Sequence, residues 1–280
     1  MDLTNINTIK DLAREWGIKP SKNFGQNFLI NQDIISQIIS SADLKAGEEV
    51  LEIGPGFGVL TQALLAKEVK LTSIELDKRL ADYLKMTKKN LPDEQKQNFE
   101  IIQGDALDTH ISKLFAGKEY KLVANLPYQI TSPVLWKFLT QEEHKPTEIT
   151  VMIQKEVAER ITASPGKMSV LSVMCQFYAE VSYEFTVSRQ NFWPAPDVDS
   201  AVVKLKIKNE KLKIDEKKFT QLVKIGFAQK RKMLKNNLSS GLKMEELETL
   251  RILEELNLNP KIRAQELKVE EWINLLETLK

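Results

Sequence analysis

The clearest chemical pattern in the sequence is a set of alternating glycines behind an acidic residue. Glu52 begins the pattern, and Gly54, Gly56 and Gly58 follow it at every second position. The pattern closes an apolar run that predicts a strand, and a segment with helical spacing comes next. Glycines let the backbone turn tightly and approach a ligand without a Cβ atom in the way. The start of a helix behind them favours polar or negatively charged ligand groups. The pattern therefore predicts a ligand-binding turn between a strand and a helix.

The spacing of the glycines separates two classes of ligand. A dinucleotide-binding turn has the form G-x-G-x-x-G. Here the third glycine comes one residue early, in the form E-x-G-x-G-x-G. This spacing argues against NAD and is typical of the nucleoside-binding turn of S-adenosylmethionine methyltransferases.

Two carboxylates follow the next two predicted strands. Glu75 ends the second strand, 21 residues after Gly54, where it can accept hydrogen bonds from both hydroxyls of a ribose. Asp77 is a nearby alternative for that role. Asp105 follows the third strand, where its carboxylate can accept a hydrogen bond from the amine of adenine. Together with the glycine turn, these carboxylates predict a site for an adenine nucleoside.

The tetrapeptide Asn125-Leu126-Pro127-Tyr128 ends the fourth predicted strand. The amine of adenine is a poor nucleophile, because its lone pair is delocalised into the ring. Two acceptors that hold both amine hydrogens would localise that lone pair. The side-chain oxygen of Asn125 and the backbone carbonyl of Leu126 can be these acceptors. Pro127 fixes the turn because its φ is preset, and Tyr128 offers a ring on which the target base can stack.

These motifs lie in a pattern of alternating strands and helices. The alternation from residue 49 onward predicts βαβ units and a mostly parallel sheet covered on both faces. Before it, one helix is expected to end near Gly17 and another to cover residues 32–42. Two strands around the Pro-rich stretch 191–200 have no helix between them and predict an antiparallel pair at a sheet edge. Residues 208–216 are the best linker candidate. Only helical patterns follow, in residues 217–238, 244–257 and 265–279, with Gly241 and Pro260 as punctuation.

Composition and charge exclude several classes of protein. The 280 residues carry 40 Lys and Arg against 39 Asp and Glu, a net charge of +1, which gives no sign of a nucleic-acid partner. The net charge is nevertheless uneven: −5 in residues 1–200, +9 in 201–240 and −3 in 241–280. One cysteine and two histidines exclude a disulfide and make a metal site improbable. We find no apolar signal-peptide core and no apolar run of membrane-spanning length, so we expect a cytoplasmic protein without a metal.

The combined motifs resemble those of one family. The glycine turn, the Asn125–Tyr128 tetrapeptide and the GQNFL segment (25–29) are similar to the adenine-amine RNA methyltransferases. Three further segments, 154–160, 191–203 and 227–238, narrow the resemblance to the small-subunit ribosomal RNA dimethyladenosine transferases, the kasugamycin-sensitivity enzymes. The resemblance implies an α/β fold: a Rossmann-like class I S-adenosylmethionine methyltransferase domain with a mixed seven-stranded sheet (residues 1–208). It also implies a small all-helical RNA-binding domain (residues 212–280).

The resemblance also implies an activity and its residues. Family members dimethylate two adjacent adenosines in a hairpin loop near the 3′ end of small-subunit rRNA, during assembly of the subunit, and release S-adenosylhomocysteine. Contacts to S-adenosylmethionine would come from six residues: Asn27, Leu29, Gly54, Glu75, Asp105 and Asn125. Gly54 would contact the methionine part, Glu75 the ribose and Asp105 the adenine. Asn125 would contact both the cofactor and the target amine.

Contacts to the RNA are expected from two places. Phe192 or Trp193, beside two prolines, could form the second wall of the pocket for the target base. Both could equally be core residues of an edge strand. The basic block includes Lys230, Arg231 and Lys232, which are expected to contact phosphates.

Three alternative functions remain open from the sequence. One is a related large-subunit rRNA methyltransferase of the macrolide-resistance type, which differs in substrate and not in chemistry. Another is a non-catalytic assembly or transcription factor on the same fold. A third is a DNA adenine methyltransferase. Nothing in the sequence demands more than a monomer.

Overall fold

The computed structural model describes residues 1–20, 25–115, 117–208 and 214–279. In these residues the strands are β1 (Phe28–Leu29), β2 (Glu49–Ile53), β3 (Lys70–Glu75), β4 (Phe99–Gln103), β5 (Tyr120–Asn125), β6 (Glu148–Gln154), β7 (Ala179–Val187), β8 (Phe192–Trp193) and β9 (Ser200–Ile207). The helices of the first half are α1 (Ile6–Glu15), α2 (Gln32–Ala42), α3 (Val59–Leu65), α4 (Lys78–Lys88), α5 (Asp93–Gln97), α6 (Ile111–Phe115) and α7 (Thr131–Trp136). Those of the second half are α8 (Lys155–Ile161), α9 (Val170–Tyr178), α10 (Glu216–Gly226), α11 (Leu234–Leu242), α12 (Glu246–Glu255) and α13 (Val269–Thr278).

Seven of the strands form one mixed sheet, as the sequence predicts. Its order is β4-β3-β2-β5-β6-β9-β7. The five strands β2 to β6 are parallel to one another, and β9 runs antiparallel to β6. From β2 the chain moves outward through β3 to β4, and then returns to the other side of β2 as β5. In open sheets of this kind, ligands bind where the strand order reverses, outside the carboxyl ends of the strands.

The core beside this sheet explains the apolar runs. Ile35 and Ile38 of α2 and Leu64 of α3 are almost wholly buried in one cluster with strand residues such as Val50 and Val123. Helix α2 covers Gln32–Ala42, as predicted, and begins there because the Asn31 side chain accepts hydrogen bonds from two backbone N–H groups of its first turn. Helix α1 ends at Glu15, close to the predicted end near Gly17.

The remaining two strands join distant parts of the sequence. β1 pairs antiparallel with β8, so that Leu29 lies opposite Phe192 and Phe28 opposite Trp193. This pairing fixes the GQNFL segment against the Pro-rich stretch, although more than 160 residues separate them in the chain.

The chain divides into two compact units. The first comprises Met1–Ala158 and Ser182–Ile207, and the second comprises Glu159–Val181 and Lys208–Lys280. Compared with the predicted domains 1–208 and 212–280, the second unit also takes in Glu159–Val181, which contains α9. In that unit the Phe177 ring of α9 stacks on Phe219 of α10, with centroids 3.9 Å apart. Most of the predicted linker, residues 209–213, lies outside the described residues.

One expectation about the C-terminal helices is wrong. Residues 217–238 are not one helix, because α10 ends at Gly226 and α11 begins at Leu234. The buried Asn237 side chain donates hydrogen bonds to the carbonyls of Gly226 and Gln229 and so stabilises the turn between them. Gly241 lies one residue before the end of α11, close to the predicted break, and a Cβ atom there would overlap Ile225 of α10. This glycine lets the two helices pack closely.

Candidate active site

The strand ends bring the predicted site residues to one edge of the sheet. Gly54 follows β2 and donates its N–H to the Ile74 carbonyl of β3 over 2.9 Å. Gly104, just before Asp105, donates in turn to the Glu75 carbonyl over 2.9 Å. Because strand pairing continues into the loops, Gly54, Glu75 and Asp105 lie side by side.

The glycine turn adopts the geometry that its sequence predicts. Gly54, Gly56 and Gly58 have φ values of 67°, 59° and 83°, in the left-handed region that favours glycine. A side chain on Gly56 would also crowd the Phe28 ring, which lies 3.1 Å from the position of an added Cβ. The turn therefore holds its backbone against the GQNFL segment.

Glu75 is buried and already bound to the backbone of the turn. Its Oε2 accepts a hydrogen bond from the Gly56 N–H over 3.0 Å, and its Oε1 accepts one from the Asp77 N–H over 2.9 Å. Burial raises the pKa of Glu75, although these two N–H groups act in the opposite direction. The carboxyl therefore couples the glycine turn to the end of β3.

Asp77 connects this strand end to two other segments. Its carboxylate forms an ion pair of 2.8 Å with Arg79 and accepts a hydrogen bond of 3.3 Å from the Gln26 side chain. The hydrogen bonds with Arg79 hold the pKa of Asp77 below its usual value. Asp77 is thus engaged by side chains, whereas Glu75 accepts only backbone N–H groups among the described residues.

Glu52 is a functional candidate for which sequence reasoning gave no role beyond opening the motif. Its side chain is buried, and Oε2 accepts hydrogen bonds of 2.7 Å from the hydroxyls of Thr61 and Ser73. Its other oxygen, Oε1, is buried with no hydrogen-bond partner among the described residues. Burial raises the pKa of Glu52 to about 7, although the two hydroxyls oppose that shift. A buried acceptor without a donor at the wall of a cavity indicates a place for a donor on a ligand.

The Asn125–Tyr128 tetrapeptide lies where β5 leaves the sheet. The Leu126 N–H still pairs with the Met152 carbonyl over 3.1 Å. The Pro127 ring packs against Gly54, since an added Cβ there would lie 3.4 Å from its Cδ. The Tyr128 hydroxyl is 2.7 Å from the buried Ser200 Oγ, which fixes the ring, and burial raises the pKa of this phenol. No hydrogen bond joins the Asn125 side chain to another described residue.

One cavity gathers most of the predicted site residues. Its volume is about 1280 Å³, including the part open to solvent. Ten predicted residues line it: Asn27, Leu29, Gly54, Glu75, Asp105, Asn125, Leu126, Pro127, Tyr128 and Phe192. Phe192 also belongs to the core, where only 4% of its surface is exposed, and its expected contact with the target base stays a prediction.

Leu76 is a lining residue that sequence reasoning missed. It stands between the two carboxyl residues at the end of β3 and lines the cavity, yet it is 49% exposed. The sequence signal for this role is a leucine directly after a predicted strand. A single apolar residue in a loop is common, however, and does not by itself indicate a binding site.

A second cavity lies beside the first within the same unit. It shares Gly25, Gln26, Asn27, Tyr128 and Gln129 with the first cavity and has a volume of about 1010 Å³ including open solvent. Its other wall is the Pro-rich stretch from Pro194 to Val198, together with Gln154 at the end of β6. Tyr128 therefore stands between the two cavities.

Lys230, Arg231 and Lys232 do not line either cavity. They are exposed side chains in the turn between α10 and α11 of the second unit. The structure thus places the basic residues in a turn and not in the helix predicted for them.

Other kinds of site find no support in the described residues. Within those ranges, no group of three His, Cys, Asp or Glu side chains could hold a metal ion. Cys175 is buried, and burial raises the pKa of its thiol to about 12, which leaves it unreactive at neutral pH. No described helix combines the length and the apolar character that crossing a membrane requires.

Comparisons with known proteins agree with this arrangement. The sequence model of the family described as ribosomal RNA adenine dimethylase matches residues 18–280. The chain is 39% identical to the ribosomal RNA small subunit methyltransferase A of Dehalococcoides mccartyi, over 95% of this chain and 90% of that protein. It is 37% identical to the protein of the same name from Bacillus mycoides, over 99% of this chain and 97% of that protein.

Two solved structures have the same fold over nearly the whole chain. A dimethyladenosine transferase from Plasmodium falciparum has a TM-score of 0.77 and 28% identity, and covers 90% of this chain and 97% of its own. The 23S rRNA methyltransferase ErmE has a TM-score of 0.72 and 27% identity, and covers 90% of this chain and 99% of its own. The predicted class I methyltransferase fold with a helical C-terminal region is therefore confirmed.

Proposed function

The chain belongs to the ribosomal RNA adenine dimethylase family, and we propose that it dimethylates the N6 amines of two adjacent adenosines in small-subunit rRNA. The methyl donor in this proposal is S-adenosylmethionine. The observation that carries it is the position of the Asn125–Tyr128 tetrapeptide. It faces the same cavity as the glycine turn and the carboxyl groups of Glu75 and Asp105.

The residues around the cavity fit S-adenosylmethionine. Acceptors stand at two strand ends, as a ribose and an adenine amine require: Glu75 and Asp105. Leu76, exposed between two carboxyl residues, offers the apolar surface that an adenine ring would cover. The partnerless Oε1 of Glu52 offers an acceptor to a cationic donor such as an ammonium group. When bound, the cofactor supplies an electrophilic methyl group on a sulfonium sulfur.

The chain's own contribution to the reaction is to prepare the amine. The Asn125 side-chain oxygen and the Leu126 carbonyl accept its two hydrogens, which localises the lone pair on nitrogen. Pro127 packed on Gly54 fixes the distance between this acceptor pair and the glycine turn. Positioning and electrostatics of this kind account for catalysis without a strong general base.

The second cavity is our candidate for the target adenosine. Tyr128, fixed by its 2.7 Å contact with Ser200, offers a rigid ring for stacking. The prolines at 194 and 196 offer a further apolar wall. A base taken out of the RNA stack would then reach Asn125 past the face of Tyr128.

Affinity for RNA is proposed to come largely from the basic block. Residues 201–240 carry a net charge of +9. Lys230, Arg231 and Lys232 are three consecutive exposed residues of this block. Lysine and arginine contacts to phosphates release counterions, so they strengthen binding most at low salt. Since one chain lines both cavities, we propose that the protein acts as a monomer. We also propose that it acts in the cytoplasm, where bacterial ribosomal subunits assemble.

A comparison of substrates tests the proposal. The protein and labelled S-adenosylmethionine are incubated in three separate reactions. One contains unmethylated small subunits, one contains large-subunit RNA and one contains duplex DNA. We expect label only in the small-subunit RNA. Label in large-subunit RNA would favour the activity named for ErmE, and label in DNA would favour a DNA methyltransferase. Absence of label from all three would favour a non-catalytic assembly factor.

A further inference from the structure

The N-terminal helix α1 has no role in the proposed function. The family match begins at residue 18, so Ile6–Glu15 lie before it. The helix is nevertheless well defined at both ends. The Asn5 side chain caps its first turn, and Gly17 follows its last turn with a φ of 61°.

Helix α1 packs by one face against the residues behind the cofactor cavity. Ile9, Leu12 and Ala13 are at most 6% exposed. They form one apolar cluster with residues that follow the glycine turn and the end of β3, among them Phe57 and Leu80. The Trp16 ring meets the Tyr83 ring edge to face at 5.5 Å, and Tyr83 meets Phe57 in the same way. The helix therefore rests on the same side chains that shape the cavity.

Ile9 belongs to the cavity wall itself. It lines the cavity together with Phe57 and Leu80 and with the acidic residues Glu75 and Asp77 at the end of β3. Only 1% of its surface is exposed. Among the residues of α1 it is the one that lines this cavity. Because almost none of its surface is exposed, Ile9 supports this wall through its packing in the cluster with Phe57 and Leu80, which also line the cavity.

Arg79 connects the end of α1 to the residues that follow β3. Its guanidinium donates a hydrogen bond of 2.7 Å to the Gly17 carbonyl and forms the 2.8 Å ion pair with Asp77. Asp77 also accepts the bond from Gln26 and stands two residues after Glu75. One arginine thus connects the end of α1 to the strand end that is proposed to hold the ribose.

We propose that α1 supports one wall of the S-adenosylmethionine pocket, with Ile9 as the side chain that holds the lining residues in place and Arg79 as the residue that positions the helix. The inference rests on the proposed function, because it takes the cofactor from there. It adds α1, which lies before the residues that the family model matches, to the binding of that cofactor. It also predicts that changes in α1 alter cofactor affinity without any change at the target amine.

Binding of S-adenosylhomocysteine, measured by calorimetry on the full chain, tests this role. Ile9→Ala is expected to raise the Kd by about fivefold to tenfold, because the loss of one or two methylene groups from the packing lets the cavity wall relax away from the ligand. Ile6→Ala is the matched control: the same substitution in the same helix, at a residue that is 36% exposed and does not line the cavity. Its Kd is expected to stay within twofold of the parent value.

Arg79→Gln separates positioning from folding. Arg79 is about half exposed, so the variant is expected to fold with an unchanged circular dichroism spectrum and to raise the Kd about threefold. If both residues act through α1, the Ile9→Ala/Arg79→Gln double variant loses less affinity than the product of the two single losses.

Three results would overturn the inference. One is an Ile9→Ala variant that folds and binds S-adenosylhomocysteine as tightly as the Ile6→Ala control. Another is a double variant whose losses simply multiply. If Ile9→Ala fails to fold, an Arg79→Gln variant with parental affinity overturns the proposal by itself. A parent protein that binds no S-adenosylhomocysteine would contradict the proposed function as well, which distinguishes that failure from the other three.

Discussion

Replacing Glu52 with Gln removes a buried carboxyl group whose pKa lies near 7. The substitution keeps the size of the side chain and an oxygen that can accept from Thr61 and Ser73. It removes the negative charge that burial disfavours. The position of Oε1, which has no hydrogen-bond partner among the described residues, then holds an uncharged group. We therefore expect the variant to be more stable than the parent without cofactor, and to bind the cationic cofactor less tightly.

The pH range of the effect follows from the two pKa values. In the unfolded chain the carboxyl titrates near 4.5, and in the folded chain near 7. The folded chain therefore holds the proton more tightly, so stability falls as the pH rises above about 4.5 and becomes constant above about 7. At about 1.4 kcal/mol per pKa unit, the full difference is about 3 kcal/mol. At pH 5 less than about 1 kcal/mol of it has developed.

Urea unfolding at pH 5 and at pH 8 measures this difference. We expect Glu52→Gln to exceed the parent in free energy of unfolding by about 3 kcal/mol at pH 8 and by under about 1 kcal/mol at pH 5. Glu100→Gln is the control, because Glu100 is an exposed residue on β4 of the same sheet. We expect no change there at either pH. A Glu52→Gln gain that is equal at both pH values, or absent at pH 8, would refute the reasoning.

Four further variants test separate parts of the account. Replacing Lys230, Arg231 and Lys232 with Ala should weaken RNA binding in a filter-binding assay. The slope of log K against log salt should decrease in magnitude by about 2 to 3, one unit for each phosphate that is no longer neutralised. An unchanged slope would contradict a phosphate role. Tyr128→Phe keeps the stacking ring and removes only the hydroxyl that meets Ser200, so the transfer rate should fall less than about tenfold, whereas Tyr128→Ala should lose at least about a hundredfold; equal rates would count against stacking. Asn237→Ala leaves the carbonyls of Gly226 and Gln229 without their donor, so it should lower the free energy of unfolding by about 1 to 3 kcal/mol; an unchanged urea midpoint would remove that role.

The sheet and the main cavity follow from patterns that the sequence carries locally. The central parallel strands are largely apolar runs, and the polar residues that matter stand at their ends: Glu75 and Asn125 are the last residues of β3 and β5, and Asp105 stands two residues after β4. Because parallel strands end at the same edge, local order along the chain converts into closeness in space. The alternation of Gly54, Gly56 and Gly58 likewise records a backbone with positive φ.

What the sequence did not show depends on packing between distant segments. The end of α10 at Gly226 is stabilised by Asn237, eleven residues later, and no helical periodicity marks that break. Gly241 lies close to the end of α11, but its lack of a side chain also serves close packing against Ile225. The burial of Glu52 and the position of Ile9 at the cavity arise from packing across α1, β2 and β3. Such pairings leave no trace in the spacing of residues.

Mapping the modified nucleotides tests the central claim most directly. Unmethylated small subunits are incubated with S-adenosylmethionine and either the parent protein or Asn125→Ala, and stops of reverse transcription are mapped along the rRNA. The account predicts two adjacent strong stops near the 3′ end with the parent. With Asn125→Ala it predicts none, although S-adenosylhomocysteine still binds to that variant. Stops elsewhere, or full methylation by Asn125→Ala, would contradict the account.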